Sequence, residues 1–376
     1  MDKYLHIISL NIPWPPNYGG VIDIFYKLKA LHRLGIKIIL HAFEYDRSQA
    51  PELALYCEKV YYYKRKIGWR SNLSLLPYNV VSRKDPELLD RLLKDDHPIL
   101  FEGLHSCYYL SDPRLKERKK IVRTSNIEHD YYHQLSRAEK NLFKRLFLQI
   151  ESWRFDEYEK QIRQASLILA ISRNDAQSLQ SRYPEKRVEF VPAFHPNDEV
   201  ISREGLSDFV LYHAKLSIAE NEKAALYLIK KIFSQLKYTC IIAGMNPSPR
   251  LIRAAKPYPQ IQIEANPSSE KMDTLIREAQ IHVLITFQNT GIKLKLLNSL
   301  FAGRHVLVNS LMLSGSGLDA LCHCADTPQE MIDQCNKLML TPFNPVFIKE
   351  RKKLLFPAYD NLSQAKHVYD LIYGND

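Results

Sequence analysis

The strongest constraint on the fold is an alternation that runs twice along the chain. Short apolar, β-rich runs alternate with stretches whose apolar residues recur at helical spacing, the signature of a parallel α/β sheet. In the first series, strands are expected at Tyr4–Leu10, Ile36–Phe43, Lys59–Tyr63, Ile99–Glu102, Lys120–Thr124, Leu167–Ile171 and Arg187–Val191. The first helix, Val21–Leu34, carries a stripe of Val21, Ile24, Phe25, Leu28 and Leu31 and ends at Gly35, a C-cap. A long helix is expected over Arg137–Gln164, and Ser172 caps another at Arg173–Arg182. The second series places strands at Phe209–His213, Thr239–Ala243, Ile261–Ile263, Ile281–Thr286 and His305–Asn309. Helices Ala219–Gln235, Glu270–Ala279 and Ile292–Ala302 lie between them.

Between the two series, Val191–Gly205 has two prolines and no periodicity, and reads as a linker. The expected organisation is a first domain over 1–192, a linker over 193–206 and a second domain over 207–345. C-terminal helices over 346–376, Gln364–Tyr373 among them, are expected to pack back on the first domain. Ligands of such sheets bind beyond the carboxyl ends of the strands, here in a cleft that both domains face.

The 376 residues suit two domains, and 45% hydrophobic with 25% charged residues argues against general disorder. No apolar stretch is long enough to span a membrane, and the N-terminus lacks the pattern of a signal peptide. Six scattered cysteines read as reduced thiols of a cytoplasmic protein, because one Cys322-x-Cys324 pair without a second pair is weak evidence for zinc. Charge is uneven. Residues 1–190 hold 32 Lys and Arg against 24 Asp and Glu, a net of +8, whereas the rest of the chain nets +2. The first half should therefore meet an anion: a membrane surface, a phosphorylated lipid or nucleic acid. Lys59–Arg70 interleaves three tyrosines and a tryptophan with five bases, which suits a membrane interface or a single-stranded nucleic acid, or else a strand with a solvated loop. The stripe Leu142, Phe143, Leu146, Phe147, Ile150 and Trp153 in the long helix is expected to pack in the core.

Glycine falls at strand-to-helix junctions: Gly19 and Gly20, Gly244, and Gly291. There it either makes a tight turn or lets backbone amides approach an anion at a helix N-terminus. Together, these junctions point to a phosphate-bearing ligand.

The Gly19–Gly20 junction, the stretch RTSNIEHDYY (Arg123–Tyr132) and GIKLKLLNSLFAGRHVLVN (Gly291–Asn309) resemble retaining glycosyltransferases of the GT-B fold, family 4 type. Family members read approximately G-x-x-x-K-x-x-E-x-x-x-x-G-x-P-V-V in the last segment, where Gly291, Lys295 and Gly303 match. Phe209–Ala225 resembles the first strand and helix of the donor domain. The resemblance implies two Rossmann-like domains facing across a cleft and a hexosyltransferase acting in polysaccharide biosynthesis without cofactor or metal. The donor, a UDP- or GDP-sugar, would sit with its diphosphate on the amides of Thr290, Gly291 and Ile292, with Gly244 in the donor site and Gly19 and Gly20 approaching it. Lys215 and Lys295 would neutralise the departing diphosphate. The acceptor, a lipid-linked or polysaccharide hydroxyl, would lie on the first domain. No nucleic-acid partner is expected, and the basic domain would hold the enzyme peripherally on the inner face of the membrane.

The same segment departs from the family. Its two acids fall on Thr290 and Asn298, the basic residue six positions after Lys215 falls on Asn221, and the usual proline is His305. Asn298 can hydrogen-bond a ribose but brings no charge. These departures motivate the alternatives of a catalytically impaired scaffold that binds a glycan or partner enzyme, or a nucleotide-sugar epimerase. Among single residues, His105 follows a strand end and resembles by position an active-site histidine; the other reading is a surface loop. His129 would orient an acceptor hydroxyl with Glu128 or Asp130 nearby, or these residues open a helix whose dipole favours acids. Arg123 is an anion contact for the acceptor or a strand-edge charge. Lys295 and Asn298 share a helix face, so both line the pocket or neither does.

Overall fold

Both series of apolar runs pair in parallel throughout, so each sheet needs helices on its faces to carry the chain back. The computed structural model describes residues 2–17, 19–68, 74–139, 141–288 and 294–374. These form two compact units, residues 2–194 with 361–374 and residues 195–288 with 294–360.

The first unit holds strands Tyr4–Ser9 (β1), Lys37–Glu44 (β2), Lys59–Lys64 (β3), Ile99–Glu102 (β4), Lys120–Thr124 (β5), Leu167–Ala170 (β6) and Val188–Phe190 (β7). Their order is β3-β2-β1-β4-β5-β6-β7. Its helices are Gly19–Arg33 (α1), Tyr78–Val81 (α2), Pro86–Leu92 (α3), Glu128–Ala138 (α4), Leu142–Glu159 (α5) and Arg173–Arg182 (α6). The strands obey a period of two on a sheet buried on both faces. Leu5, Ile7, Leu100, Ile121 and Leu169 join one core, with Leu28 and Leu31 of α1. Ile8, Phe101, Val122 and Ile168 join the other, with Leu89 of α3 and Phe155 of α5. Each such side chain contributes about 1.5–3 kcal/mol when fully buried.

The second unit holds Phe209–His213 (β8), Thr239–Gly244 (β9), Ile261–Ala265 (β10), Ile281–Leu284 (β11), His305–Val308 (β12) and His323–Cys324 (β13), in the order β10-β9-β8-β11-β12-β13. Its helices are Ala219–Lys231 (α7), Pro249–Ala255 (α8), Ser269–Glu278 (α9), Leu294–Ala302 (α10), Ser310–Leu313 (α11), Pro328–Leu338 (α12) and Pro345–Tyr359 (α13). The last helix, Asn361–Tyr373 (α14), belongs to the first unit, where Val368 and Leu371 join the α1 core and the Tyr373 hydroxyl donates to the Tyr4 carbonyl at 2.7 Å.

Three sequence expectations need correction. The long helix Arg137–Gln164 is two helices, α4 and α5, because Asn141 caps a new start with its side chain accepting from the Lys144 amide. The apolar stripe of α5 is not core: Phe143 is 87% exposed, Leu142 75% and Trp153 58%. The segment after β7 is not a loose connector at its start, since Val191–Phe194 is buried.

What fixes that segment is a four-charge cluster inside the first unit. Arg123 of β5 grips Asp23 of α1 with two bonds of 2.9 Å, and Lys27 lies 3.1 Å from Asp23 and 2.8 Å from Glu102 of β4. Asp23 also accepts from the Phe194 amide at 2.8 Å, while Arg123 donates to the Val191 and Pro192 carbonyls at 3.0 Å each. Burial opposes the charge on Asp23, but Arg123 and Lys27 outweigh it and hold the carboxyl well below its usual range. Glu102 is pushed upward, because burial there outweighs Lys27. Asp23→Ala is expected to cost about 3–5 kcal/mol in urea denaturation by leaving the cluster with an unpaired buried cation. The exposed pair of Lys37 and Asp2, at 2.7 Å, is the control, and Lys37→Ala should leave the urea midpoint unchanged within error.

Candidate active site

In each sheet one pair of neighbouring strands sends its following loops in opposite directions, and ligands of open α/β sheets bind at that point. In the first unit the chain leaves β1 for β2 and β3 and returns to β4 on the other side of β1. The loop after β1 enters α1 at Gly19, which is exposed, and Gly20, which is half-buried. The loop after β4 turns at Gly103, whose φ of +75° is a left-handed conformation suited to glycine. The turn packs against the imidazole, since a Cβ there would lie 3.5 Å from Nδ1 of His105.

His105 is nearly buried, its ring edge against Phe155 at 5.2 Å between centroids. Its Nδ1 is buried without a hydrogen-bond partner among the described residues, and its Nε2 lies 3.7 Å from Oε2 of Glu128. Burial, reinforced by Arg83 and Arg65, pulls the His105 pKa down to about 3. Glu128 opens α4 beyond the end of β5, where a helix dipole favours its ionised form. Burial wins, aided by Glu159 and Asp175, and pushes its pKa up to about 8. At neutral pH the site therefore holds a protonated carboxyl beside a neutral imidazole. Their 3.7 Å separation is too long for a direct hydrogen bond, which leaves both groups available to a third atom.

His129, the next residue along, has the opposite environment. It lies 3.6 Å from Glu159, 3.4 Å from Asp130 and 3.8 Å from Asp156. Its pKa is raised, chiefly by Glu159, against a smaller effect of burial. Glu159 itself is bonded by Arg182 and by the Tyr183 hydroxyl at 3.1 Å. Arg123, expected as an acceptor contact or an edge charge, is neither. It is buried, and its guanidinium is taken up by Asp23, Val191 and Pro192. Arg83 escaped the sequence reading. It is buried and donates to the Leu10 carbonyl through Nε at 2.9 Å and Nη2 at 2.8 Å, pinning the loop after β1. In sequence it stands among other bases before the Asp85 helix cap, with no pattern to distinguish it.

In the second unit the divergence lies between β8 and β11. The loop after β8 carries Lys215 into α7, and the loop after β11 carries Thr286 toward α10. Asn221 of α7 is the hub: its Nδ2 donates to the Lys215 carbonyl at 3.0 Å and its Oδ1 accepts from Lys295 Nζ at 3.4 Å. Lys295 also lies 5.2 Å above the Tyr212 ring, whose hydroxyl donates to the Asn221 carbonyl at 3.1 Å. Lys295 and Asn298 are both half-buried on α10, opposite the fully buried Leu296, Leu297 and Leu300. Thr286 bonds Glu220, and its amide donates to Asn309 at 3.1 Å. Gly244 has a packing reason to be glycine, since a Cβ would fall 1.8 Å from the Ala214 carbonyl oxygen. Thr290, Gly291 and Ile292 lie outside the described residues.

Behind this face runs a buried chain of hydrogen bonds. His282 Nε2 donates to the Ile276 carbonyl at 2.9 Å, so its Nδ1 accepts from the Ser299 hydroxyl at 3.0 Å. The Ser299 oxygen then accepts from His213 Nε2 at 3.0 Å. Burial, with Lys295 adding to it, lowers the His213 pKa to about 3. Gly303 is required here as well, because a Cβ would lie 2.1 Å from His282 Nε2.

No family model matches the chain. A protein described as an uncharacterised 44.6-kDa protein in the cps region of Klebsiella pneumoniae is 24% identical over 332 residues, covering 83% of this chain and 84% of that protein. Among solved structures, sucrose-phosphate synthase from Thermosynechococcus elongatus superposes with a TM-score of 0.69 at 12% identity, over 98% of each chain. WaaG, a glycosyltransferase involved in lipopolysaccharide biosynthesis, gives 0.67 at 11%, over 99% of this chain and 100% of that one. A mutant of S. aureus TarM in complex with fondaparinux, α-GlcNAc-glycerol and UDP gives 0.69 at 10%, over 99% and 100%. The fold is thus the expected one: two Rossmann-like units of the GT-B type.

The raised Glu128 pKa has a signed consequence. Below about pH 4 both folded and unfolded chains carry the proton and the group contributes nothing. From there to about pH 8 the unfolded chain ionises first, so Glu128 progressively subtracts stability. Glu128→Gln should therefore match the parent near pH 4 in urea denaturation and exceed it by on the order of 3 kcal/mol near pH 8. Parallel stability curves across that window would show that the carboxyl is not held protonated.

Proposed function

We propose that this protein is a cytoplasmic, retaining, metal-independent glycosyltransferase that moves a sugar from a nucleotide diphosphate sugar to a lipid-linked or polysaccharide acceptor. The observation that carries the reading is the arrangement at the β8/β11 divergence, where Asn221 holds the backbone of the Lys215 loop and accepts from the Lys295 ammonium. The donor's diphosphate would lie at the head of α10 against Thr290, Gly291 and Ile292. Negative charge develops on the nucleotide as it leaves, and fixed cations with a helix N-terminus stabilise that charge without reorganising. Asn298, on the same helix face as Lys295, would hydrogen-bond the ribose.

The first unit would hold the acceptor. His105 and the protonated Glu128 present an acceptor and a donor of hydrogen bonds to one hydroxyl, with Gly19 and Gly20 supplying backbone amides. His129 acts from its carboxylate cluster as a positioning group for the start of α4. The net charge of +8 over residues 1–190 suits a phosphorylated acceptor and the anionic inner face of a membrane.

The test begins with nucleotides. At a concentration of 100 Kd, a nucleotide diphosphate should stabilise the protein by about 2.7 kcal/mol, a Tm rise of about 3 °C. Lys295→Ala should reduce that shift and lower transfer from the matching sugar donor by about 10²-fold. No stabilisation by UDP, GDP or their sugars would overturn the donor-site assignment. Binding without transfer or donor hydrolysis would overturn the catalytic one.

A further inference from the structure

Most of the apolar stripe of α5 is left uncovered by the described residues. Leu142, Phe143, Leu146, Phe147, Ile150 and Trp153 are all exposed, and from Asn141 to Phe147 every residue is exposed on every side of the helix. This is a projecting tip, larger than the scattered apolar residues normal on a protein surface. The patch continues onto the neighbouring segment. The Tyr78 amide donates to Glu151 at 2.9 Å and the Tyr78 ring meets Phe147 at 6.4 Å, while Leu75, just before it, is 82% exposed.

Charge identifies the occupant. Between Leu142 and Ile150 the helix carries Lys144 and Arg145 and no acid. The first acid after them, Glu151, is buried and paired with Arg154 at 2.9 Å, so it does not offset the tip's charge at the surface. Glu139, whose carboxylate accepts from the Asn141 amide at 2.8 Å, is the one acid at the described start of the helix, and the exposed Lys144 and Arg145 outnumber it, so the apolar tip suits a medium that wets every side and carries negative charge at its edge. Among the described residues no helix is long and apolar enough to cross a membrane, so α5 would lie in the interface.

We propose that the N-terminal half of α5 docks the protein on an anionic lipid bilayer, with Leu142, Phe143, Leu146 and Phe147 among the acyl chains and Lys144 and Arg145 at the headgroups. This rests on the membrane-surface part of the reading above and is independent of sugar transfer. It gives the lipid-linked acceptor a defined side from which to reach the first unit.

The full chain is sedimented with vesicles of phosphatidylcholine alone and of phosphatidylcholine with phosphatidylglycerol. The parent should partition onto the phosphatidylglycerol vesicles, and Trp153 fluorescence should shift to the blue. Phe143→Ser with Phe147→Ser should lower the partition coefficient by about 100-fold, since each ring contributes about a factor of ten. Lys144→Glu with Arg145→Glu should erase the preference for phosphatidylglycerol, each residue being worth about fivefold or more. All four side chains are exposed, so unchanged urea midpoints will verify folding. If the parent binds neither vesicle, the membrane-surface reading falls and this proposal with it. If the variants bind as the parent does, membrane association stands and the assignment to α5 is overturned. A parent dimer that Phe143→Ser converts to a monomer, with no change on vesicles, would assign the face to a second copy and overturn the proposal as well.

Discussion

Parallel pairing is the constraint on which the other features depend. A parallel strand cannot be reached by a hairpin, so every connection must cross a face of the sheet. Both sheets are built outward from a first strand, β1 or β8, and later resume on its other side at β4 or β11. That single reversal sends neighbouring loops apart and opens a place for a ligand. The residues singled out for chemistry gather at these two reversals: Gly19, Gly20 and His105 at one, Lys215 and Lys295 at the other. Topology brings them there, since Gly20 and His105 are far apart in sequence, as are Lys215 and Lys295.

Within the first unit, burial decides what each carboxyl does. Asp23 and Glu102 share one cluster, yet Asp23 is held well below its usual range by a bidentate guanidinium and a lysine, whereas Glu102, paired with the lysine it shares with Asp23, is pushed upward by burial. Glu128 and His129 are consecutive residues whose proton affinities both rise, Glu128 through burial and His129 against it. Burial, with Glu159 and Asp175 nearby, raises the proton affinity of Glu128, whereas three carboxylates raise that of His129 against its burial. The pair that burial pushes in opposite directions is Glu128, raised, and His105, lowered, which is how one site can present both a donor and an acceptor of hydrogen bonds.

The sheets were legible because burial on both faces leaves an unmistakable run of apolar, β-branched residues. Ile99–Glu102, Lys120–Thr124 and Phe209–His213 are strands over the spans read from the sequence. Shorter elements such as α2, α11 and β13 escaped, being too brief to show a period. Periodicity also misled. The spacing in Leu142–Trp153 identifies one apolar face but says nothing about what covers it, and α5 proved to present that face outward. The site was legible where glycines and strand ends mark it, and illegible where its support comes from distant residues. The role of Arg123 depends on Asp23, one hundred positions earlier, and Gly303 owes its identity to the imidazole of His282.

Two asparagines at the second reversal stand where the resemblance to family 4 would put charges, and they would not have the same consequence. Asn298 removes an acid and leaves a neutral group that can still donate and accept hydrogen bonds, so recognition of a hydroxyl survives while any role requiring negative charge is lost. Asn221 replaces a base, which lowers the positive potential, but its amide ties the Lys215 loop to Lys295 from both ends. Electrostatic stabilisation depends on charges already in place when the reaction needs them, so a lysine held by such a bracket is worth more than a freely moving one. The neutral His213 behind it, fixed in one tautomer through Ser299 and His282, adds no competing cation. On the proposed function, fewer cations held more rigidly would carry the leaving group.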